Sequence, residues 1–329
     1  MAAGRRKTVR TGLAGALALA LALSGCGLKS GSPMVDDVVP GSVGRGEPLR
    51  GASLTVTSKN FSENIILGQM IGLVFKAAGA EVLDRTNLPG SISAREAIVK
   101  GDADAMYEYT GTGWITYLGH AKPIPDPYAQ WKAVRDADRK NGVTWLAPST
   151  LNNTYALAIS RKNNAEYHLR TLSDVAALSK KDPSAVTLCV ENEFASRDDG
   201  LPGMEKAYGM SLPASSIKKM DAGIIYTQVS QSHSCLLGEV FTTDGRIKAM
   251  DLEVLVDNKH FFPNYNAAPV IHTKTFDTYP QIAALLDPVS RKLTTEVAQT
   301  LNAKVDVDGQ DPHEVAKDWL IQEGFIKQR

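Results

Sequence analysis

From residue 53 onward, short alternating or wholly apolar runs take turns with longer runs of 3.6-residue spacing, which is the pattern of strands joined by helices. Leu54-Thr55-Val56-Thr57 alternates and is β-branched, so it predicts a first strand. Ser62 stands where an N-cap would, ahead of a helix over Ile65 to Phe75 that stops near Gly79. Glu81 to Asp84 predicts a second strand, and Ala94 to Lys100 a helix stopped by Gly101. Ala103 to Tyr107 then runs as a third strand into the loop Met106-Tyr107-Glu108-Tyr109-Thr110-Gly111-Thr112-Gly113-Trp114. Strand, helix, strand, helix, strand at this spacing predicts a parallel sheet with right-handed crossovers, and the strand tips of such a sheet are where ligands bind.

Two of these tips carry chemistry. The Tyr107 and Tyr109 rings offer π faces that attract cations, while Thr110 and Thr112 place hydroxyls beside glycines that let backbone come close. The same rings also suit a strand end packed into the core. Lys59, at the tip of the first strand beside a helix N-terminus, fits either a bound anion or a solvated loop.

After a helix over Tyr128 to Asn141 and a strand over Val143 to Leu146, the polar stretch Pro148 to Asn153 leads towards a second domain. That domain opens with a strand over Thr154 to Ile159 and a short helix over Ser173 to Leu178. A buried strand over Ala185 to Val190 follows, with Glu193 to Leu201 at its tip. Cys235 to Phe241 runs into Thr242-Thr243-Asp244-Gly245, and Leu252 to Val256 is a further strand. Polar strand-tip loops in both domains predict a cleft between them. Phe261 to Ile271 returns the chain to the first domain. Helical patterns then cover residues 279–286, 290–304 and 312–324, the last with a core-facing stripe of Val315, Trp319, Leu320 and Phe325.

Composition narrows the function. With 329 residues, 43% hydrophobic and 22% charged, the chain can bury the cores of two ordinary domains. Its 36 basic and 36 acidic residues balance, but Arg5, Arg6, Lys7 and Arg10 lie in the first ten positions, leaving a mildly acidic remainder that argues against nucleic acid. Those basic residues, the uncharged Ala-Leu run from Gly12 to Leu23 and the ending Leu23-Ser24-Gly25-Cys26 have the layout of a lipoprotein signal peptide over residues 1–25, with Cys26 as the lipidated first mature residue. Residues 26–50, rich in Gly, Ser, Pro and charge, read as a tether. In an exported chain the remaining thiols, Cys189 and Cys235, are expected to pair as a disulfide. No metal site is expected, since the six histidines are scattered and no third ligand group accompanies the cysteines. Hydrolase, P-loop and dinucleotide fingerprints are missing from the mature chain, and no activated nucleophile stands out.

Five motifs, taken in order, give a more specific reading. Thr57-Ser58-Lys59-Asn60-Phe61, Tyr107-Glu108-Tyr109-Thr110-Gly111-Thr112, Asn153-Thr154-Tyr155, Phe241-Thr242-Thr243-Asp244-Gly245-Arg246-Ile247 and Asn264-Tyr265-Asn266 resemble the substrate-binding proteins of glycine betaine/carnitine/choline ABC importers. The resemblance runs from about Ser53 to about Gly324. It implies an α/β, two-lobed periplasmic-binding-protein fold of type II kind, with two inter-lobe crossovers and the ligand in the cleft. The first lobe would hold residues 51–152 and 265–329, the second 153–264. It further implies a non-enzymatic receptor without a cofactor, a monomer held by its lipid outside the cell membrane, that delivers a quaternary ammonium solute to an ABC permease with cytoplasmic ATPases. By motif, Tyr109, Tyr155 and Tyr265 match cage aromatics around a trimethylammonium group, and Phe241 stands where the family commonly has a fourth tyrosine. Lys59, Thr112 and Arg197 match groups that hold the ligand carboxylate, with Arg161, Arg170 and Arg246 as the other arginines to weigh. Asn153 matches backbone lining the cage. A receptor for another cationic or aromatic solute is one alternative, and a lipid-anchored hydrolase using Glu108, Asp199 or Asp244 as general acid or base is another.

The anchor is directly testable: Cys26→Ala should abolish acyl labelling and move the protein from the membrane to the soluble fraction, whereas labelling that survives the substitution would contradict it.

Overall fold

The computed structural model describes residue 1, residues 31–232 and residues 234–329; the expected signal peptide and Cys26 lie outside the described residues. The described chain begins with two short strands, β1 (Ser32–Pro33) and β2 (Val38–Pro40). A run of strands alternating with helices follows: β3 (Ser53–Lys59), β4 (Glu81–Leu88), β5 (Ala105–Tyr109) and β6 (Val143–Trp145). The second sheet is built from β7 (Tyr155–Ser160), β8 (Leu188–Val190), β9 (Ile217–Lys219), β10 (Leu237–Phe241) and β11 (Leu252–Val254). The chain then returns as β12 (Ala267–His272) and ends near β13 (Ile326–Gln328).

Strand order in the first sheet is β1-β4-β3-β5-β12-β6 and in the second β11-β7-β10-β8-β9. β3 pairs in parallel with β4 and β5, as the alternating pattern predicts, whereas the returning β12 runs antiparallel to β5 and β6. In the second sheet β7 is antiparallel to β10 and β11, and β8 is parallel to β10 and β9. The outgoing and returning connections lie side by side, with Asn152 bridging Asn266. Two adjacent connections of this kind let the lobes move as units about one narrow line.

The helix Ser62–Ala77 is buried on almost every side and fills the centre of the first lobe, which explains its apolar residues all round the axis. Phe61 occupies its N-cap position, so Ser62 is the first helical residue and not the cap; the Ser62 hydroxyl donates instead to Asp306 Oδ1 at 2.5 Å. Tyr109 is likewise not in a loop. It ends β5, and the chain turns at once into helix at Thr110–Thr112 and a wider π-helical turn at Gly113–Tyr117.

The tether reading of residues 26–50 is corrected for the part described, residues 31–50. Met34, Val38, Val43 and Leu49 are buried, β1 pairs with β4, and β2 pairs with β13. The Met34 side chain fits where Gly72 lacks a Cβ; one built there would sit 2.6 Å from Met34 Cε. Scattered apolar residues without period gave no signal of this, because each is held by a separate contact with the first lobe.

Cys189 on β8 and Cys235 just before the neighbouring β10 are joined in a disulfide, with their Cα atoms 5.7 Å apart. It closes a loop of 46 residues, so replacing both cysteines by serine should lower stability by about 2 to 4 kcal/mol, read as a lower denaturation midpoint. An unchanged midpoint would mean that the neighbouring sheet contacts alone hold this loop.

Candidate functional site

A cavity of about 390 Å³ lies between the two sheets. Its walls include all eight residues singled out from the sequence: Lys59, Tyr109, Thr112 and Tyr265 with the first sheet and its helices, Tyr155, Arg197 and Phe241 from the second lobe, and Asn153 on the crossing segment. The ends of β3, β5, β7 and β10 therefore converge on one space, although their residues are far apart in sequence.

The rings form one connected wall. Tyr155 lies 5.4 Å from Phe241 and 5.3 Å from Tyr265, ring centre to ring centre. Phe241 lies 5.4 Å from Phe61, which lies 6.0 Å from Tyr109. Phe61, given no role in the sequence reading, is the link that joins Tyr109 to the second-lobe rings. Gly111 permits this packing: a Cβ there would meet the Tyr265 ring at 2.7 Å and the Asn264 carbonyl at 2.9 Å. Burial holds the phenols of Tyr109, Tyr155 and Tyr265 well above their ordinary range, so these rings are neutral at physiological pH. A wall of neutral aromatic rings is suited to a cation that has no N–H to donate.

The cavity's positive groups all have anionic partners. Arg197 holds Asp199 through Nε at 2.8 Å and Nη2 at 2.6 Å, reaches Thr112 Oγ1 at 3.3 Å and lies over the Tyr155 ring. Asp199 also accepts from the Tyr265 hydroxyl at 2.6 Å. Lys59 is buried against Glu108, with Nζ to Oε1 at 2.6 Å, so it is neither a solvated lysine nor an unpaired cation awaiting an anion. Among the alternative arginines, Arg161 is exposed and pairs with Asp251 and Glu253. Arg170 lies away from the cavity, and Arg246 lines it but is paired with Asp244.

Glu63, which no sequence motif singles out, also lines the cavity. Standing in the first turn of the helix Ser62–Ala77, it places its own charge at the N-terminus that had suggested an external anion. Its Oε1 accepts from the Tyr109 hydroxyl at 2.8 Å and from Asn153 Nδ2 at 2.7 Å; its Oε2 accepts from Asn302 Nδ2 at 3.1 Å. Burial raises its pKa, and these hydrogen bonds with Thr243 nearby oppose the shift. The lobes are also clasped directly: Ser91 of the first lobe donates its backbone N–H and its hydroxyl to Glu193 of the second.

These two lobes, with two sheets and a cleft at the strand tips, make the protein a two-lobed periplasmic binding protein. The crystal structure of a glycine betaine/carnitine/choline ABC transporter protein shares this fold, with a TM-score of 0.67 and 28% identity over 83% of this chain and 99% of that one. Residues 52–322 match the substrate binding domain of ABC-type glycine betaine transport systems, and the chain belongs to that family. The glycine-betaine-binding protein of Pseudomonas aeruginosa is 37% identical over 279 residues, 83% of this chain and 89% of its own. An ergothioneine transport permease/ergothioneine binding protein of Helicobacter pylori is 33% identical over 273 residues, 83% of this chain but only 48% of its own.

Another buried carboxyl, Glu239 on β10, has its pKa pushed up to about 8 by burial, against the hydrogen bond it accepts from the Glu191 backbone N–H. In the unfolded chain it would titrate near 4.5, so the folded state holds an extra proton between those values. Its contribution to stability is therefore complete below pH 4.5 and is lost as pH rises through about 8. Glu239→Gln should flatten the fall in melting temperature between pH 5 and pH 8 by removing a slope of up to about 1.4 kcal/mol per pH unit; an identical pH profile in the variant would contradict the assignment.

Proposed function

We propose that the protein is an extracytoplasmic receptor that captures a quaternary ammonium compatible solute, glycine betaine or a relative, and hands it to the permease of an ABC importer with cytoplasmic ATPases. The observation that carries this reading is the continuous ring wall of Tyr109, Phe61, Phe241, Tyr155 and Tyr265 on one inter-lobe cavity. Family membership and the glycine betaine ligand of the Pseudomonas aeruginosa relative support it. The receptor acts as a monomer at the outer face of the membrane, held there by the Cys26 lipid, and needs no cofactor. Closing two lobes on a ligand shared between them converts binding into a shape that a permease can recognise.

Hydrolysis fits the geometry less well. Glu108 accepts from Lys59, from the Tyr109 backbone and from the Tyr117 hydroxyl; Asp199 is forked onto Arg197; and Asp244 is forked onto Arg246. Carboxylates held by several charged or backbone donors are poor general bases, because each bond favours the ionised form without leaving a lone pair free for a substrate proton. A second solute reading, a larger trimethylammonium betaine of the ergothioneine kind, is favoured by the cavity's volume, part of which a molecule as small as glycine betaine would leave to water.

In this reading Lys59, Thr112 and Arg197 face the ligand's anionic end, with Arg197 shared between the ligand and Asp199. Calorimetric titration with glycine betaine, proline betaine, carnitine, choline and ectoine tests the class. Tyr155→Ala should weaken every quaternary ligand that binds by about 1 to 3 kcal/mol, whatever group its other end carries. Arg197→Ala should weaken glycine betaine strongly and choline little. Loss confined to one ligand in Tyr155→Ala, or heat from none of the quaternary compounds with the native protein, would overturn the assignment.

A further inference from the structure

Glu63 and Asn302 both line the cavity, and Asn302 keeps an acceptor that no group among the described residues uses. The two residues come from separate elements, Glu63 from the first turn of the helix Ser62–Ala77 and Asn302 from the helix Thr295–Asp306, and both are at least 95% buried. Asn302 Nδ2 donates to Glu63 Oε2 at 3.1 Å and to the Thr243 carbonyl at 2.9 Å, which fixes the orientation of its amide. Its Oδ1 is buried and has no hydrogen-bond partner among the described residues, though Asn302 lines the cavity. A buried amide oxygen without a donor costs free energy, and native proteins keep one where something else supplies the donor. Beside it, Glu63 accepts from the neutral donors Tyr109, Asn153 and Asn302, with the Thr243 hydroxyl nearby, and meets no cation among the described residues.

We propose that Glu63 and Asn302 form a polar subsite next to the aromatic wall that accepts a hydrogen bond from an O–H or N–H group of the ligand. The preferred solute is then a quaternary ammonium compound that carries such a donor, rather than one whose other end is a bare carboxylate. Tyr109 ties the two parts together, since its ring belongs to the wall and its hydroxyl is hydrogen-bonded to Glu63. This inference rests on the quaternary ammonium reading above and specifies which members of that class the cavity selects.

Choline and its O-methyl ether, (2-methoxyethyl)trimethylammonium, make the test. They share the cation and differ in the donor. By calorimetry the native protein should bind choline about tenfold or more tightly than the ether, the step expected when a buried acceptor is left without its donor. In Glu63→Gln and in Asn302→Ala that ratio should fall towards one, whatever happens to the affinity the two ligands share. Equal affinities in the native protein would overturn the subsite. A ratio kept in both variants would also overturn it, because size exclusion of the methyl group would then account for the difference. If a variant melts early and cannot be titrated, the other variant and the native ratio decide. Should neither compound bind, tetramethylammonium and glycine betaine separate the cases: binding of either one overturns the subsite alone, and binding of neither overturns the quaternary ammonium reading with it.

Discussion

The fork of Arg197 on Asp199 organises the cleft. Both residues stand on the loop after β8, and each bond they make fixes something else: Arg197 lies over the Tyr155 ring and reaches Thr112 of the first lobe, while Asp199 takes the Tyr265 hydroxyl. Two rings of the wall and one inter-lobe contact thus depend on one ion pair. A buried pair of this kind gains its stability from geometry and from added hydrogen bonds, and removing one partner leaves a charge with no compensation. The cavity can therefore keep an arginine over an aromatic ring with its charge matched by a neighbouring carboxylate.

The same principle of local neutralisation runs through the rest of the site. Lys59 is matched by Glu108, Arg246 by Asp244, and Glu193 by the Ser91 donors and Arg197. Glu63 is the exception among these groups, with hydrogen bonds but no cationic partner among the described residues. A helix N-terminus and three neutral donors stabilise its charge in part, and burial works against them. In a cavity walled by aromatic rings, this leaves the electrostatic demand on the cationic side, which a quaternary ammonium meets without displacing the paired arginines and lysine.

Much of this was legible in the sequence, and the reasons differ by element. The alternation of β3, β4 and β5 with helices gave the first sheet because parallel strands need long crossovers, and those leave a strong periodic signal. The five motifs hold seven of the eight cavity residues because each motif sits at a strand end or a crossing, and Arg197 comes from the loop after β8. The helices Leu201–Tyr208 and Ala222–Ser230 leave little periodic signal, being short and, in the second case, apolar without a clear face. The packing of residues 31–50 was invisible for a different reason: four buried side chains without a shared period look like a linker. Glu63, Phe61 and Asn302 show a third limit. Each sits in an ordinary helical or loop context, and its role arises from neighbours contributed by other elements, up to 239 residues away for Glu63 and Asn302.

The central claim is that the ring wall between the lobes is the seat of a quaternary nitrogen. A crystal structure of the protein grown with a quaternary ammonium ligand that calorimetry shows to bind tests this most directly. The account predicts the nitrogen within about 6 Å of the ring centres of at least three of Tyr109, Phe61, Phe241, Tyr155 and Tyr265, with the two lobes closed around it. A ligand bound outside this cavity, or one whose nitrogen turns away from the rings towards Glu193 and the solvent, would contradict it.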